Sequence, residues 1–239
     1  MKNLIKEILY NKLRKGSKLG LLLYYCAGIG YWLIKARRLY IGTRVVEIPW
    51  AIDFIKMLPD DSHILQLGDV LLYENDMTRH FESVVDLDAD EETNDRLHVY
   101  KNNIVDVDIP NNSFNYVISI STIEHVGLWG CKFVNGDAKA IKKIYNLLRD
   151  GGLLLFTVPF GYYSVNDNFR IYDSEKILEL LRNLFEIICA EYIMWNGWRW
   201  VSVPPNVAEK MYILDNNKNM NCGAALVIAR KINSFERIA

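Results

Sequence analysis

The sequence predicts an α/β fold, with a mostly parallel, seven-stranded sheet covered by helices on both faces. Three observations lead there. Apolar segments of strand length alternate with helical stretches from residue 64 onward. Glycine turns follow the first of these segments and precede the fifth. The 239 residues, 51% hydrophobic and 24% charged, suffice for one large core.

The strand candidates are Ile64 to Leu67, Ser83 to Leu87, His98 to Ile104, Phe114 to Ser121, Gly152 to Val158, Phe185 to Met194 and Ala224 to Ala229. The clearest helix runs from Asp137 to Arg149, where Ile141, Ile144, Tyr145 and Leu148 share a face and Gly151 supplies the terminating position. A second runs from Glu47 to Leu58. Pro49 suits its first turn, Trp50, Phe54 and Leu58 recur at spacing four, and Pro59 stops it. Such alternation directs ligands to the carboxyl ends of the strands.

The first 44 residues differ in kind from the rest. They hold ten Lys and Arg against one acid, Glu7, so a net charge of −1 conceals +9 before Val45 and −10 after it. Residues 2 to 15 read as a basic amphipathic helix. Leu19 to Ile34 carries no charge over sixteen residues, short of the ~20 of a spanning helix. Basic flanks, internal aromatic residues and the lack of a small-residue cleavage site argue against a signal peptide. Two readings stand for this segment: a helix packed on the domain, or peripheral contact with an anionic membrane surface. The expected division is an extension over 1–44 and an α/β domain over 45–239. No nucleic-acid motif is present, and four dispersed cysteines suit a reducing, cytoplasmic setting, at the inner face of the membrane if the extension binds it.

The chemistry-bearing residues lie at the strand ends. Ile64-Leu65-Gln66-Leu67-Gly68-Asp69 is a strand followed at once by a glycine turn, where a nucleoside ligand can approach the backbone. Val84-Val85-Asp86-Leu87-Asp88 is a second strand ending in acids, and a carboxylate there can accept hydrogen bonds from both ribose hydroxyls. The plainer alternative for these acids is a solvated turn, which Asp90, Glu91 and Glu92 resemble.

The stretch Asn103 to Ser119, containing Asp106, Asp108 and Pro110-Asn111-Asn112-Ser113-Phe114-Asn115, resembles class I S-adenosylmethionine-dependent methyltransferases, as does Leu147-Leu148-Arg149-Asp150-Gly151-Gly152. Ser121 to Gly127, Val158-Pro159-Phe160-Gly161 and Phe169-Arg170-Ile171-Tyr172-Asp173 extend the resemblance over residues 45 to 231. It implies a Rossmann-like domain with S-adenosylmethionine as cofactor, held by Gly68, Asp69, Asp86, Asp88, Asp106 and Ser119. The first motif departs from the family pattern. Gln66 stands where the family has an acid, and Val70 and Leu72 stand where it has glycines. Val46-Glu47-Ile48-Pro49-Trp50 and Glu124-His125-Val126-Gly127 resemble methyltransferase-like proteins of surface-glycan synthesis, which implies a sugar or glycolipid acceptor.

Glu124 and His125 follow the fourth strand, and a neutral imidazole there can take the proton of an acceptor hydroxyl. The alternative for His125 is a structural bond to the adjacent loop. Tyr162, Tyr163, Tyr172, Trp195, Trp198 and Trp200 are either sugar-facing aromatics or core and lid packing. His63, His80 and His98 have no ligand partners at metal spacing, so no metal is expected. The absence of a Gly-x-Ser-x-Gly elbow and of a phosphate loop sets aside hydrolase and triphosphatase chemistry. The expected function is methyl transfer to an oxygen of a small-molecule or glycan acceptor. Its rivals are a non-catalytic binding or assembly protein of membrane glycan enzymes on the same fold, and a binder of another nucleoside such as a nucleotide sugar.

Overall fold

The structure, a computed structural model, describes residues 42–68, 71, 79–86, 95–128, 132–196, 199–210 and 223–233. Residues 1–41, Asp69, Val70, Leu72, Asp88 and Trp198 lie outside the described residues, and the readings made of them with them.

Helix α1 (Arg44–Lys56) leads into β1 (His63–Leu67), β2 (Phe81–Val85), β3 (Leu97–Tyr100) and β4 (Phe114–Ile120). A 3-10 turn (Ile123–His125) precedes α2 (Gly136–Leu147), β5 (Leu148–Phe160), the hairpin β6 (Ser164–Val165) and β7 (Arg170–Ile171), and α3 (Ser174–Leu181). β8 (Phe185–Trp195), β9 (Trp200–Ser202), α4 (Pro205–Ala208) and β10 (Gly223–Lys231) complete the order.

One sheet runs β3-β2-β1-β4-β5-β10-β8-β9. The first five of these strands pair in parallel, whereas β10 is antiparallel to both β5 and β8, and β9 is antiparallel to β8. The sheet therefore has eight strands where the sequence predicts seven. The additional one, β9, is a three-residue edge strand in the aromatic stretch, too short to show a period of its own.

Residues of β1 and β4 are buried almost without interruption, as expected of parallel strands covered on both sides. Their alternation sorts the core. Leu65, Leu67, Val117, Leu154 and Phe156 pack with Ala140, Ile141, Ile144 and Leu147 of α2. Ile64, Ile118, Ile120 and Leu155 pack with Ala51 and Ile55 of α1 on the other face. Each such large apolar side chain contributes roughly 1.5–3 kcal/mol when fully buried.

Several boundaries move. α1 begins at Arg44, a turn earlier than expected, because the Thr43 carbonyl accepts from Val46 and Glu47 and starts the helix there. Pro49 consequently lies inside the helix. β3 ends at Tyr100, where the Asp86 amide takes its carbonyl, and the chain then turns through residues 104–106. α2 ends at Leu147, and Leu148 is already extended.

Behind the 3-10 turn, Gly127 (φ +77°) and Gly136 pack backbone against backbone. A Cβ on Gly127 would lie 2.6 Å from the Phe133 carbonyl oxygen, and one on Gly136 would lie 2.1 Å from that of Val126. Only glycine fits either place. The Phe133 amide donates to the Gly127 carbonyl at 3.0 Å across the same neck.

Candidate active site at the strand carboxyl ends

β1 ends in Gly68, whose φ of +81° turns the chain sharply. Its amide donates to the Val85 carbonyl at 3.1 Å, which holds the turn against the end of β2. A Cβ at Gly68 would stand 3.3 Å from Thr122 Oγ1 and 3.8 Å from Asp86 Oδ2. The bare glycine thus keeps open a space that the Asp86 carboxylate and the Thr122 hydroxyl border. Thr122 Oγ1 is itself 3.1 Å from the Leu67 and Ile120 carbonyls, tying the end of β4 to the end of β1.

Gln66, where the resemblance implies an acid, has another occupation. It is buried, its amide nitrogen donates to Glu82 Oε1 on β2, and its amide oxygen accepts from the Leu71 amide at 3.3 Å. Burial pushes the Glu82 carboxyl up to about 8, against the opposing effect of the Gln66 bond. An acid at position 66 would meet a second buried carboxyl, whereas the amide supplies the donor that Glu82 needs.

Beyond β4 the chain turns at Ser121, a non-glycine residue with φ +44°. Its amide donates to the carbonyl and to the hydroxyl oxygen of Thr157, at 3.1 and 3.0 Å, which holds that conformation. The Ser121 hydroxyl donates to Glu47 Oε1 at 2.7 Å, and Arg44 Nη1 donates to the Ile120 carbonyl at 2.7 Å. Arg44 Nε stands 3.9 Å from Glu47 Oε2, an ion-pair distance beyond hydrogen-bond reach. The start of α1 is thereby fastened to the end of β4.

Glu124 and Glu47 are each only 1% exposed. Burial, aided by the charge of Glu47, pushes the Glu124 carboxyl up to about 8, with its own backbone amide and Arg44 acting in the opposite sense. His125 is more open, its side chain 34% exposed, and its Nε2 lies 3.8 Å from Glu124 Oε1. His125 Nδ1 is 2.6 Å from the Asn168 carbonyl oxygen. A carbonyl only accepts, so Nδ1 carries the proton that faces Asn168. The bond to the adjacent hairpin is the structural alternative that the sequence offers for His125.

The Phe169-Arg170-Ile171-Tyr172-Asp173 string supports this turn from below. Buried Arg170 donates to the Glu124 and Val126 carbonyls at 3.1 and 2.8 Å and reaches Asp137 Oδ2 at 3.3 Å. The Tyr172 hydroxyl donates to the same carboxylate at 3.0 Å, and Asp173 caps α3 through the Lys176 amide.

Of the expected cofactor residues, Gly68 and Asp86 come together, with Thr122 as an unforeseen third. Ser119 is fully buried in β4, in register between Leu67 and Phe156, and its hydroxyl makes no hydrogen bond. Asp106 is exposed on the turn after β3, its amide donating to the Asn103 carbonyl at 3.0 Å. Among the aromatics, Tyr172 and Trp195 are core and Trp200 stacks edge-on against Trp195, while Tyr162 and Tyr163 are exposed. Sequence reasoning quoted Glu47 and Arg170 only within motifs. The available signal was a lone acid in the apolar Val45-Val46-Glu47-Ile48-Pro49-Trp50 run and a lone arginine between Phe169 and Ile171. Among the described residues no three His, Cys, Asp or Glu side chains group as metal ligands, and no helix is long and apolar enough to cross a membrane.

The fold is that of class I S-adenosylmethionine-dependent methyltransferases. The Burkholderia thailandensis 1,6-didemethyltoxoflavin-N1-methyltransferase, solved with S-adenosylhomocysteine, superposes with a TM-score of 0.53 at 16% identity, covering 92% of this chain and 88% of that one. The N-methyltransferase NodS from Bradyrhizobium japonicum, also with S-adenosylhomocysteine, gives 0.51 at 10% identity over 78% of this chain and 87% of its own. The [4+2]-cyclase SpnF gives 0.53 at 15% identity over 76% and 80%, so this architecture is not tied to one reaction. No relative was found among curated proteins. The model of the family described as "Caenorhabditis protein of unknown function, DUF268" matches residues 81–203.

Proposed function

The chain belongs to the DUF268 family, and from that premise we propose that it is an S-adenosylmethionine-dependent methyltransferase acting on an oxygen of a small-molecule or glycan acceptor. The observation that carries this reading is the meeting of Gly68, Asp86 and Thr122 at the ends of β1, β2 and β4. The space a Cβ would fill at Gly68, bordered by a carboxylate, fits a nucleoside sugar with two hydroxyls to donate. Asp69, Asp88 and Asp106 complete the proposed cofactor set, while Ser119, turned into the core, drops out of it. When bound, S-adenosylmethionine supplies an electrophilic methyl group on a sulfonium centre.

The chain's own residues do the rest. The Asn168 carbonyl fixes the His125 tautomer, so that Nε2 can take the proton of an acceptor hydroxyl as its oxygen is methylated. Glu124, 3.8 Å from Nε2, lies beside the imidazolium that results. Catalysis otherwise needs alignment of two reactants, which the clamp of Arg170 on the Glu124 turn serves.

Titration of the full chain with S-adenosylhomocysteine by calorimetry tests the reading. Asp86→Ala is expected to weaken binding by about 1.5–3 kcal/mol. No binding by the wild type would overturn it. A second reading has an observation of its own: Gln66 is committed to Glu82 and Leu71 and supplies no acid to the methionine part of the cofactor. On that reading the chain is a non-catalytic binding or assembly partner of membrane glycan enzymes, or holds another nucleoside at Asp86.

For residues 1–44 we propose reversible contact with an anionic leaflet, on the strength of their +9 charge, at the cytoplasmic face of the membrane and with residues 45–239 as the catalytic domain. Sedimentation with anionic liposomes is expected to retain the full chain at low salt and to release it as salt rises, while a variant starting at Val45 stays in solution. Equal behaviour of the two overturns it.

A further inference from the structure

Two buried carboxyl groups converge at the end of β4 from different parts of the chain, Glu47 from the first turn and a half of α1 and Glu124 from the 3-10 turn. They are close enough for the charge of one to act on the other. Each has one oxygen engaged or near a partner: Glu47 Oε1 accepts from Ser121, and Glu124 Oε1 faces His125. Each has a second oxygen, Oε2, that is buried with no hydrogen-bond partner. A buried acceptor left unmade is costly, and more so on a charged group. Carrying two of them where α1 and the 3-10 turn meet the end of β4, next to Ser121, Thr122 and His125, which are partly open to solvent, favours a ligand that brings hydrogen-bond donors.

We propose that Glu47, Ser121 and Glu124 form the floor of an acceptor subsite that receives two neighbouring hydroxyl groups, as a sugar or another small polyol presents them. The two unsatisfied oxygens are acceptors for two donors on one ligand. Charge decides between hydroxyls and an ammonium group. The Arg44 guanidinium beside Glu47 offsets one carboxylate, and the other carboxyl is held protonated at neutral pH by its burial. An ammonium entering the floor would lose its hydration without a net negative charge to replace it. As an acceptor site this floor rests on the methyl-transfer reading; as a binding site it does not.

The test uses the full chain and saturation-transfer NMR with four probes of similar size: cis-1,2-cyclohexanediol, methyl α-D-glucopyranoside, cyclohexanol and cyclohexylammonium. The expected result is that the diol or the glycoside binds at least about tenfold more tightly than the single alcohol or the ammonium. Whichever of the two leads tells whether the ring oxygen and further hydroxyls of a sugar are read as well. Glu47→Gln and Glu124→Gln should each lose about tenfold in diol affinity while keeping S-adenosylhomocysteine affinity within about twofold. Ser121→Ala, a smaller change that spares both acids, should show the same pattern more weakly and serves if a glutamine variant does not fold. Preference for the ammonium, equal binding of diol and single alcohol, or variants that bind the diol as the wild type does would each overturn the proposal. S-adenosylhomocysteine binding without the diol preference removes the floor alone, and the diol preference without S-adenosylhomocysteine binding removes the methyl-transfer reading alone.

Discussion

Of the three buried glutamic acids among the described residues, Glu82 and Glu124 are treated in opposite ways. Between β1 and β2, Glu82 receives the Gln66 amide, whose other end holds the Leu71 backbone. At the end of β4, Glu124 is equally protonated by burial yet keeps an oxygen without a partner, beside a second acid in the same condition. The fold thus satisfies a buried carboxyl in one place and leaves one unsatisfied in another, the difference on which the proposed polyol floor rests.

The largest expected effect tests whether the two acids share a protonation state. Both have folded values near 8 against an ordinary value of 4.5. Between those limits the folded state keeps protons that the unfolded state has released, so stability is greatest below about 4.5 and falls as pH rises toward 8. Each acid contributes a slope of up to about 1.4 kcal/mol per pH unit. Urea unfolding at pH 5 and pH 8 should show a loss of several kcal/mol in the wild type, and Glu82→Gln and Glu124→Gln should each remove about half of it. A slope untouched by Glu124→Gln would break the comparison.

Restoring the family's acid through Gln66→Glu comes next. It places two carboxyl groups in buried contact and should cost roughly 3 kcal/mol in urea unfolding. Combining it with Glu82→Gln restores one donor to the pair and should recover most of the loss, within about 1 kcal/mol. If the single variant is as stable as the wild type, the Gln66 and Glu82 contact does not hold the strands, and the contrast with Glu124 disappears.

The smallest effect is at Gly68→Ala. The residue's φ of +81° and the 3.3 Å approach to Thr122 should cost about 1 kcal/mol of stability. Calorimetry should show a larger proportional loss of S-adenosylhomocysteine affinity, since the methyl group stands in the proposed nucleoside space. Equal affinity in the variant would move that space elsewhere.

The parallel half of the fold was readable because β1, β4 and β5 are apolar runs bounded by Gly68, Ser121 and Gly151, a pattern that only two-sided burial produces. β9 was not, since its three residues carry no period of their own. Gly68, Asp86, Glu124 and His125 stand next to strand ends, where position in the sequence and position in the cleft coincide. Glu47 acts on Ser121 across 74 positions, and only the packing of α1 over β4 joins them. The glutamine at position 66 looked like a loss from the motif, because its compensating partner, Glu82, lies on another strand. Ser119 had the right strand, but the period of two turns its side chain toward the core shared by Leu67 and Val117.

The pinch between Gly127 and Gly136 has a bearing on how such a chain diversifies. The two backbones touch at the root of residues 128–135, and Val134 beyond them is 79% exposed. A change of length or composition past the neck meets a fixed boundary before it reaches Glu124 and His125. Variation beyond the neck can therefore be taken up with the turn that carries Glu124 and His125 left in place.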